Sequence, residues 1–250
     1  MSELLFDVHT HVLPNVDDGS DSVSTSLDMI RTLRDQGVGR IYATPHYLPE
    51  KESVDAFIAR RNKAKETLLS CPELANDGMP ELRMGAEVHL CRGFSDVDLS
   101  ALCYEDSRAI LLELPREPLS RQILKEIRIA CDSALLIPIF AHIDRYTWFS
   151  ASDIDSLSEI PDAVFSFNSA CLTSFSSKRL LKKLSREHYV LFGSDSHNTD
   201  TRSPDFYRLT GIGGKRALSK KGAEEYIRMH VDACEHIFGK STGEDWGIFF

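Results

Sequence analysis

Metal-ligand side chains recur in this chain where apolar runs end. They stand in Asp7-Val8-His9-Thr10-His11, Thr44-Pro45-His46, Gly85-Ala86-Glu87, Ala141-His142 and Ser194-Asp195-Ser196-His197. Glu113 and Asn168 close two further runs, Leu111-Leu112-Glu113 and Phe165-Ser166-Phe167-Asn168. His9 and His11, like Asp195 and His197, are two residues apart, so an extended backbone points both members of each pair the same way. Glu87 and Glu113 follow apolar neighbours, where an unpaired carboxylate is costly to bury and a bound cation removes that cost. Taken singly, His9-Thr10-His11 also suits a surface or core pair, and Asp17-Asp18-Gly19 suits an acidic turn before a helix. Taken jointly, His9, His11, Asp18, His46, Glu87, Glu113, His142, Asp195 and His197 supply five imidazoles and four carboxylates. That set can hold three cations if one carboxylate bridges. Its mixed nitrogen and oxygen donors suit manganese, iron or zinc, and the oxygen-rich share favours manganese or iron.

Arg145 and Arg202 each follow a proposed donor by a few residues, where a guanidinium can take two phosphate oxygens in a fork. Several cations with arginines beside them point to phosphoester hydrolysis, with water activated by the metals and phosphate held for in-line displacement.

The elements that must position these groups are legible as seven aliphatic and aromatic runs, at about 4 to 8, 39 to 44, 82 to 88, 108 to 114, 134 to 141, 163 to 167 and 189 to 193. Helical patterns lie at about 22 to 36, 53 to 69, 119 to 132, 175 to 187 and 219 to 238, the last with Ser219 as N-cap and Gly239 past its end. This alternation predicts a single α/β domain over residues 1–250, a parallel sheet closed into a barrel with helices outside, the last helix packing on it. The donors then all fall at carboxyl ends of strands, the end where barrel enzymes hold their chemistry. Gly211-Ile-Gly213-Gly214-Lys215-Arg216 lacks the spacing of a nucleotide loop and reads as a turn.

Composition narrows the rest. With 42% hydrophobic and 27% charged residues the chain is an ordinary globular one. Its six cysteines form no Cys-x-x-Cys pair and none is followed by Arg at the sixth position, which fits reduced thiols and excludes the cysteine-nucleophile loop of thiol phosphatases. A net charge of -9 disfavours a nucleic-acid partner. No apolar run is long enough to span a bilayer, and Met1-Ser2-Glu3-Leu4-Leu5 lacks the basic start of a signal peptide, so a cytoplasmic protein is expected.

The set His9-Thr10-His11, Asp17-Asp18-Gly19, Thr44-Pro45-His46, Gly85-Ala86-Glu87, Leu112-Glu113, Ala141-His142-Ile143-Asp144-Arg145-Tyr146 and Ser194-Asp195-Ser196-His197-Asn198 resembles the polymerase and histidinol phosphatase (PHP) superfamily. Within it, the chain looks most like the manganese-dependent protein tyrosine phosphatases of bacterial capsule and exopolysaccharide operons. The resemblance implies a distorted seven-stranded (β/α) barrel with three divalent metal ions, manganese preferred and iron or zinc the alternatives. By the same resemblance His9, His11, Glu87 and Asp195 hold the first ion, Glu87, Glu113 and His142 the second, and Asp18, His46 and His197 the third. Arg145 and Arg202 bind the phosphate of phosphotyrosine, and the implied substrate is a tyrosine kinase of polysaccharide assembly. Ile143 and Asp144 depart from the Pro and Glu common at those places.

Two other readings share these residues: a PHP phosphatase of a small metabolite such as histidinol phosphate, and a non-catalytic metal-binding regulatory barrel. The loops 47–54 and 115–120 are expected to border the pocket mouth. His89, two residues past Glu87, reads as a support for the donors or a surface residue, and with Asp144 and Tyr146 it is one of three candidates for leaving-group protonation.

Overall fold

The structure is a computed structural model that describes residues 5–76 and 78–239. Leu4, counted in the first predicted strand, and the last eleven residues of the predicted domain lie outside the described residues. Nine strands are present among the described residues: β1 (Leu5–Thr10), β2 (Val38–Ala43), β3 (His46–Tyr47), β4 (Glu81–Met84), β5 (Glu87–His89), β6 (Ala109–Glu113), β7 (Ile137–Phe140), β8 (Val164–Asn168) and β9 (Val190–Gly193). They pair in parallel in the orders β1-β2-β4 and β3-β5-β6-β7-β8-β9.

Eight of the nine segments fall on the seven expected runs, the run at 82 to 88 being interrupted, and β3 continues the strand expected at 39 to 44 beyond its end. Pro45 has no N–H to give a ladder, and it separates β2 from β3; Gly85 and Ala86 separate β4 from β5. Backbone bonds carry the pairing across both gaps, from Gly85 N–H to the Ala43 carbonyl at 2.9 Å and from Glu87 N–H to the Pro45 carbonyl at 3.0 Å. The ring closes where His11 N–H meets the Ser196 carbonyl (2.9 Å) and Asp195 N–H meets the His9 carbonyl (2.7 Å). The predicted barrel is therefore the observed fold.

Side chains alternate along the strands between two apolar clusters. Ile110, Leu112, Phe140, Phe165 and Phe192 pack with helix residues such as Leu33, Phe57, Ile127 and Leu181. Val8, Leu111, Ile139, Ala141 and Leu191 form the smaller interior cluster, which Ala233, Cys234 and Ile237 of the last helix join.

The helices are α1 (Val23–Asp35), α2 (Val54–Leu69), α3 (Arg121–Ala134), α4 (Ala151–Ser158), α5 (Phe175–Leu184), α6 (Tyr207–Thr210) and α7 (Lys220–Phe238). Six of them start on serine: the Oγ of Ser22, Ser53, Ser120, Ser150, Ser174 and Ser219 each accepts a backbone N–H three residues on. Each such cap is worth about 1 kcal/mol. The run expected as a strand from 134 starts only at Ile137, because α3 continues to Ala134 and Leu135 turns left-handed (φ 51) to end it. α4, not expected from sequence, is rich in serine and aspartate, which are weak helix formers, and starts on a reciprocal box between Ser150 and Asp153. Gly211, at φ 75, ends α6, so the glycine-rich run is the turn it was read to be.

His230 of α7 ties this helix to the barrel. Phe192 N–H donates to its Nδ1 (3.1 Å), and its Nε2 lies 2.8 Å from the Phe6 carbonyl, to which only an N–H can donate. The ring is thus the neutral tautomer with hydrogen on Nε2, and burial lowers its pKa to about 4. All six cysteines are free thiols. Among the described residues no helix is long and apolar enough to cross a membrane.

Candidate metal centre and active site

The proposed donors meet one another on one side of the ring, with His46 and Glu87 opening the short segments β3 and β5 and the others at or beyond the carboxyl ends of β1, β6, β7 and β9. Glu87, the first residue of β5 and fully buried, is the hub. Its Oε2 lies 3.2 Å from His9 Nε2, 3.3 Å from His11 Nε2 and 3.0 Å from His46 Nδ1, while Oε1 is 2.9 Å from His142 Nε2. Asp195 Oδ1 faces His9 Nε2 at 3.8 Å, His11 Nε2 at 3.6 Å and His197 Nδ1 at 3.6 Å. Asp18 Oδ1 lies 3.5 Å from both His46 Nε2 and His197 Nε2. Glu113 stands 3.9 Å from His142 and 3.8 Å from His46.

Three groups of donors lie within 4.8 Å of one another: His9, His11 and Asp195; His46, Glu87 and Glu113; and His11, His46 and His197. The first contains three of the four residues expected around one ion, without Glu87. The other two place His46 against Glu87 and Glu113 as well as beside His197, so His46 stands between two of the expected ion positions.

The donor set fits divalent cations. Glu87 Oε2, His46 Nδ1 and His197 Nε2, which face other donors, are buried without a hydrogen-bond partner. Glu87 Oε2 and His46 Nδ1 are only 3.0 Å apart, yet they are not aligned for a hydrogen bond. Buried polar atoms are seldom left unpaired, and a shared cation satisfies several at once. His197 Nδ1 lies 3.1 Å from the Asp195 carbonyl, which places the ring hydrogen on Nδ1 and leaves Nε2 free for a cation.

Electrostatics follow the crowding. Burial acts to raise Glu87, but the imidazoles around it, His9 foremost, bring its carboxyl well below the usual range. Burial acts likewise on Asp195, and His11 and His9 outweigh it in the same direction. Burial and the neighbouring His11 lower His197 to about 3, against the opposing pull of Asp195.

Local backbone is specialised here. His142 and Asp195 both adopt positive φ, 31° and 49°. Such a conformation costs about 1–2 kcal/mol in a residue with a Cβ, and it turns each side chain off its strand axis. A Cβ on Gly193 would sit 2.5 Å from His9 Cβ, and one on Gly19 would sit 2.4 Å from His11 Cβ. These glycines let β9 approach His9 of β1 and the acidic loop approach His11 just past its end.

Both arginines reach the site. Arg145 Nη1 donates to Asp195 Oδ2 at 2.6 Å, and Arg202 Nη2 donates to Asp195 Oδ1 at 2.8 Å. Asn198 shapes the loop that carries Arg202: its Oδ1 accepts Arg202 N–H (3.0 Å), while His197 N–H donates to the Arg202 carbonyl (2.9 Å).

A cavity of about 310 Å³ opens over these groups, lined by Asp18, Glu87, Arg145, Asp195 and Arg202 among others. Leu48 and Arg116 border it, as expected of the two loops that carry them. Of the three residues considered for leaving-group protonation, only His89 lines this cavity. Tyr146 is buried with its hydroxyl accepting Leu114 N–H, and Asp144 accepts Asn168 N–H. His89 Nδ1 lies 3.3 Å from Glu113 Oε2, so it supports that carboxylate.

Sequence reasoning named three residues in its motifs without giving them the role they have, which is to brace the donors. Asp7, fully buried, accepts Ser194 Oγ–H (2.6 Å) and the backbone N–H of Ser194 and His9, joining β1 to β9. Burial raises its pKa to about 7. Asn168 Nδ2 donates to Asp195 Oδ2 at 3.2 Å, and Asp17 contacts His11. For Asp7 and Asn168 the available signal was an extra polar residue at a strand end already rich in donors.

Parallel strands closed into a barrel, polynuclear donors at their carboxyl ends and arginines beside them define the class: a metal-dependent phosphoesterase with a PHP-type fold. The chain belongs to the capsular polysaccharide synthesis CpsB/CapC family, whose profile matches residues 5–237. It is 26% identical over 247 residues to the tyrosine-protein phosphatase CpsB of Streptococcus pneumoniae, covering 89% of this chain and 95% of that protein. It is 27% identical over 258 aligned positions to the tyrosine-protein phosphatase YwqE of Bacillus subtilis (strain 168), covering 95% and 93%. Among solved structures it shares its fold with a chain described with YwqE from B. subtilis and CpsB from S. pneumoniae as metal-dependent tyrosine phosphatases. That match has a TM-score of 0.66 at 22% identity, covering 92% of this chain and 95% of the other.

Proposed function

We propose that this protein is a protein-tyrosine phosphatase acting on a phosphotyrosine-bearing kinase of capsule or exopolysaccharide assembly, in the cytoplasm, with manganese as its preferred metal. The observation that carries this reading is the clustering of nine donor-type side chains beneath one cavity, which six of them (Asp18, His46, Glu87, Glu113, His142 and Asp195) and both arginines line. Names of the relatives, both tyrosine-protein phosphatases, support the substrate class. His9, His11, Glu87 and Asp195 would hold one cation, Glu87, Glu113 and His142 a second, and Asp18, His46 and His197 a third, with residues 1–250 acting as a single domain. When bound, such cations lower the pKa of water and neutralise charge on the phosphoryl oxygens.

The chain's own groups do the rest. Arg145 and Arg202 approach from two sides of Asp195 and present guanidinium N–H groups to the cavity, where a phosphate can accept them in a charge-assisted fork. Leu48 gives the rim an apolar contact for an aromatic ring, and Arg116 gives it a positive one for an acidic peptide. Tyrosine's phenolate leaves with only weak need of a proton, which agrees with a cavity in which His89 is the sole one of the three candidate acids.

The test compares kcat/KM for a phosphotyrosine peptide with that for histidinol phosphate on manganese-loaded protein. Preference for the peptide by tenfold or more is expected; equal or better turnover of histidinol phosphate would replace this reading with that of a metabolite phosphatase. A metal-loaded protein that hydrolyses neither substrate nor an aryl phosphate would indicate a binding role.

A further inference from the structure

The two adjacent acids of the Asp17-Asp18-Gly19 loop have opposite environments. Asp18's side chain is 67% exposed and lines the cavity, whereas Asp17's is 7% exposed and does not. Both Asp17 oxygens are already engaged. Oδ2 lies 2.7 Å from His11 Nδ1 and accepts the backbone N–H of His46 at 2.9 Å, while Oδ1 accepts Gly19 N–H at 2.9 Å.

We infer that Asp17 is a positioning residue of the metal centre: it sets the tautomer of His11 and ties together the three backbone segments that deliver His11, Asp18 and His46. This rests on the reading of those three as metal ligands.

The argument is one of donors and acceptors. An ionised carboxylate only accepts, so the His11 nitrogen facing it must carry hydrogen. Hydrogen on Nδ1 leaves the Nε2 lone pair free, and Nε2 is the atom that faces Glu87 Oε2 (3.3 Å) and Asp195 Oδ1 (3.6 Å). The opposite tautomer would direct an N–H at the cation. The His46 N–H bond also fixes the turn after β2, and the Gly19 bond fixes the loop in which Asp18 sits. Partners that orient a metal-bound histidine in this way typically contribute about 10–100-fold to metal affinity.

An amide cannot replace this carboxylate. In Asp17→Asn, one orientation of the amide puts its NH2 against His46 N–H and His11 Nδ1, and the other puts it against Gly19 N–H. Either loses a bond, and the first also favours hydrogen on Nε2.

The experiment measures manganese affinity of the full chain and its Asp17→Asn and Asp17→Ala variants by metal titration. Circular dichroism checks the fold, and proton–nitrogen NMR of the histidine rings is recorded on zinc-loaded wild type. The expected results are a loss of about 10–100-fold in affinity in variants that stay folded, and a His11 hydrogen on Nδ1 in wild type. Folded variants that bind manganese within about twofold of wild type would overturn the inference, as would a wild-type His11 hydrogen on Nε2. Should neither variant fold, the wild-type His11 Nδ1 proton decides: a downfield signal of a strong hydrogen bond to the Asp17 carboxylate upholds the inference, and a signal at the position of a solvent-bonded imidazole overturns it. Failure of wild type to bind metal at all would instead sink the proposed function, so the two failures are distinguishable.

Discussion

Acidification should loosen the barrel through His230, by an amount that follows from its surroundings. Its Nδ1 accepts Phe192 N–H and its Nε2–H donates to the Phe6 carbonyl, so a second ring proton would face an N–H inside an apolar cluster. Burial lowers the pKa from 6.5 to about 4. Because the folded pKa lies below the unfolded one, the unfolded chain takes up the proton first as pH falls. Stability is therefore complete above pH 6.5, is lost between 6.5 and about 4, and is level below that. The full shift corresponds to about 3 kcal/mol, of which roughly 1.2 kcal/mol is lost between pH 7 and pH 5.5. For a chain of this size that is a drop in Tm of about 3–5 °C. Urea denaturation of wild type and His230→Gln, both with chelator so that metal binding does not enter, isolates this group, since other titrations cancel in the difference. The stability gap between the two proteins should narrow by roughly 1.2 kcal/mol over that interval. A gap that stays constant with pH would refute the reading of His230 as an imidazole held neutral by burial. The site should sense this as well: Phe6 lies three residues before His9, and Phe192 three before Asp195.

Other outcomes follow from the site. Glu87→Gln removes the charge at the hub of four imidazoles and should lower aryl phosphate hydrolysis at least ~100-fold, while the metal-free protein stays folded by circular dichroism. Arg202→Lys loses the planar fork and should reduce kcat/KM for a phosphotyrosine peptide by about 10–100-fold, mostly in KM, as measured by steady-state kinetics. Gly193→Ala places a methyl group 2.5 Å from His9 Cβ. It should cost about 1–3 kcal/mol in urea denaturation and reduce the metal content found by elemental analysis.

Much of this arrangement was legible in the residues. Apolar runs ending in donors placed the site, and serines before helical patterns, as at Ser219, marked where chains turn into helices. What could not be read has physical causes. Asp17 and Asp18 are the same residue type side by side, and only the packing of the loop against His11 decides which one is buried. Positive φ at His142 and Asp195 falls on residue types that adopt it more readily than most, yet nothing in the sequence separates these two from the other histidines and aspartates. α4 is too short and too polar to show a periodic apolar face, and a single reciprocal cap supplies its signal. The breaks in two strands fall side by side, at Pro45, which has no N–H to give, and at Gly85 and Ala86 opposite it, with backbone bonds still spanning both gaps.

Those paired breaks determine where this chain can vary in length. His46 and Glu87 stand opposite each other in the ladder that resumes after the gap, and Glu87 is in turn opposite Leu111. One added or deleted residue between Ala43 and His46, or between Met84 and Glu87, would slip that register and turn a donor to the other face of the sheet. Growth or shrinkage in the segments that follow Tyr47 or His89 leaves the register intact and changes only the rim. Homologues should therefore differ in rim loops while keeping both gaps at two residues.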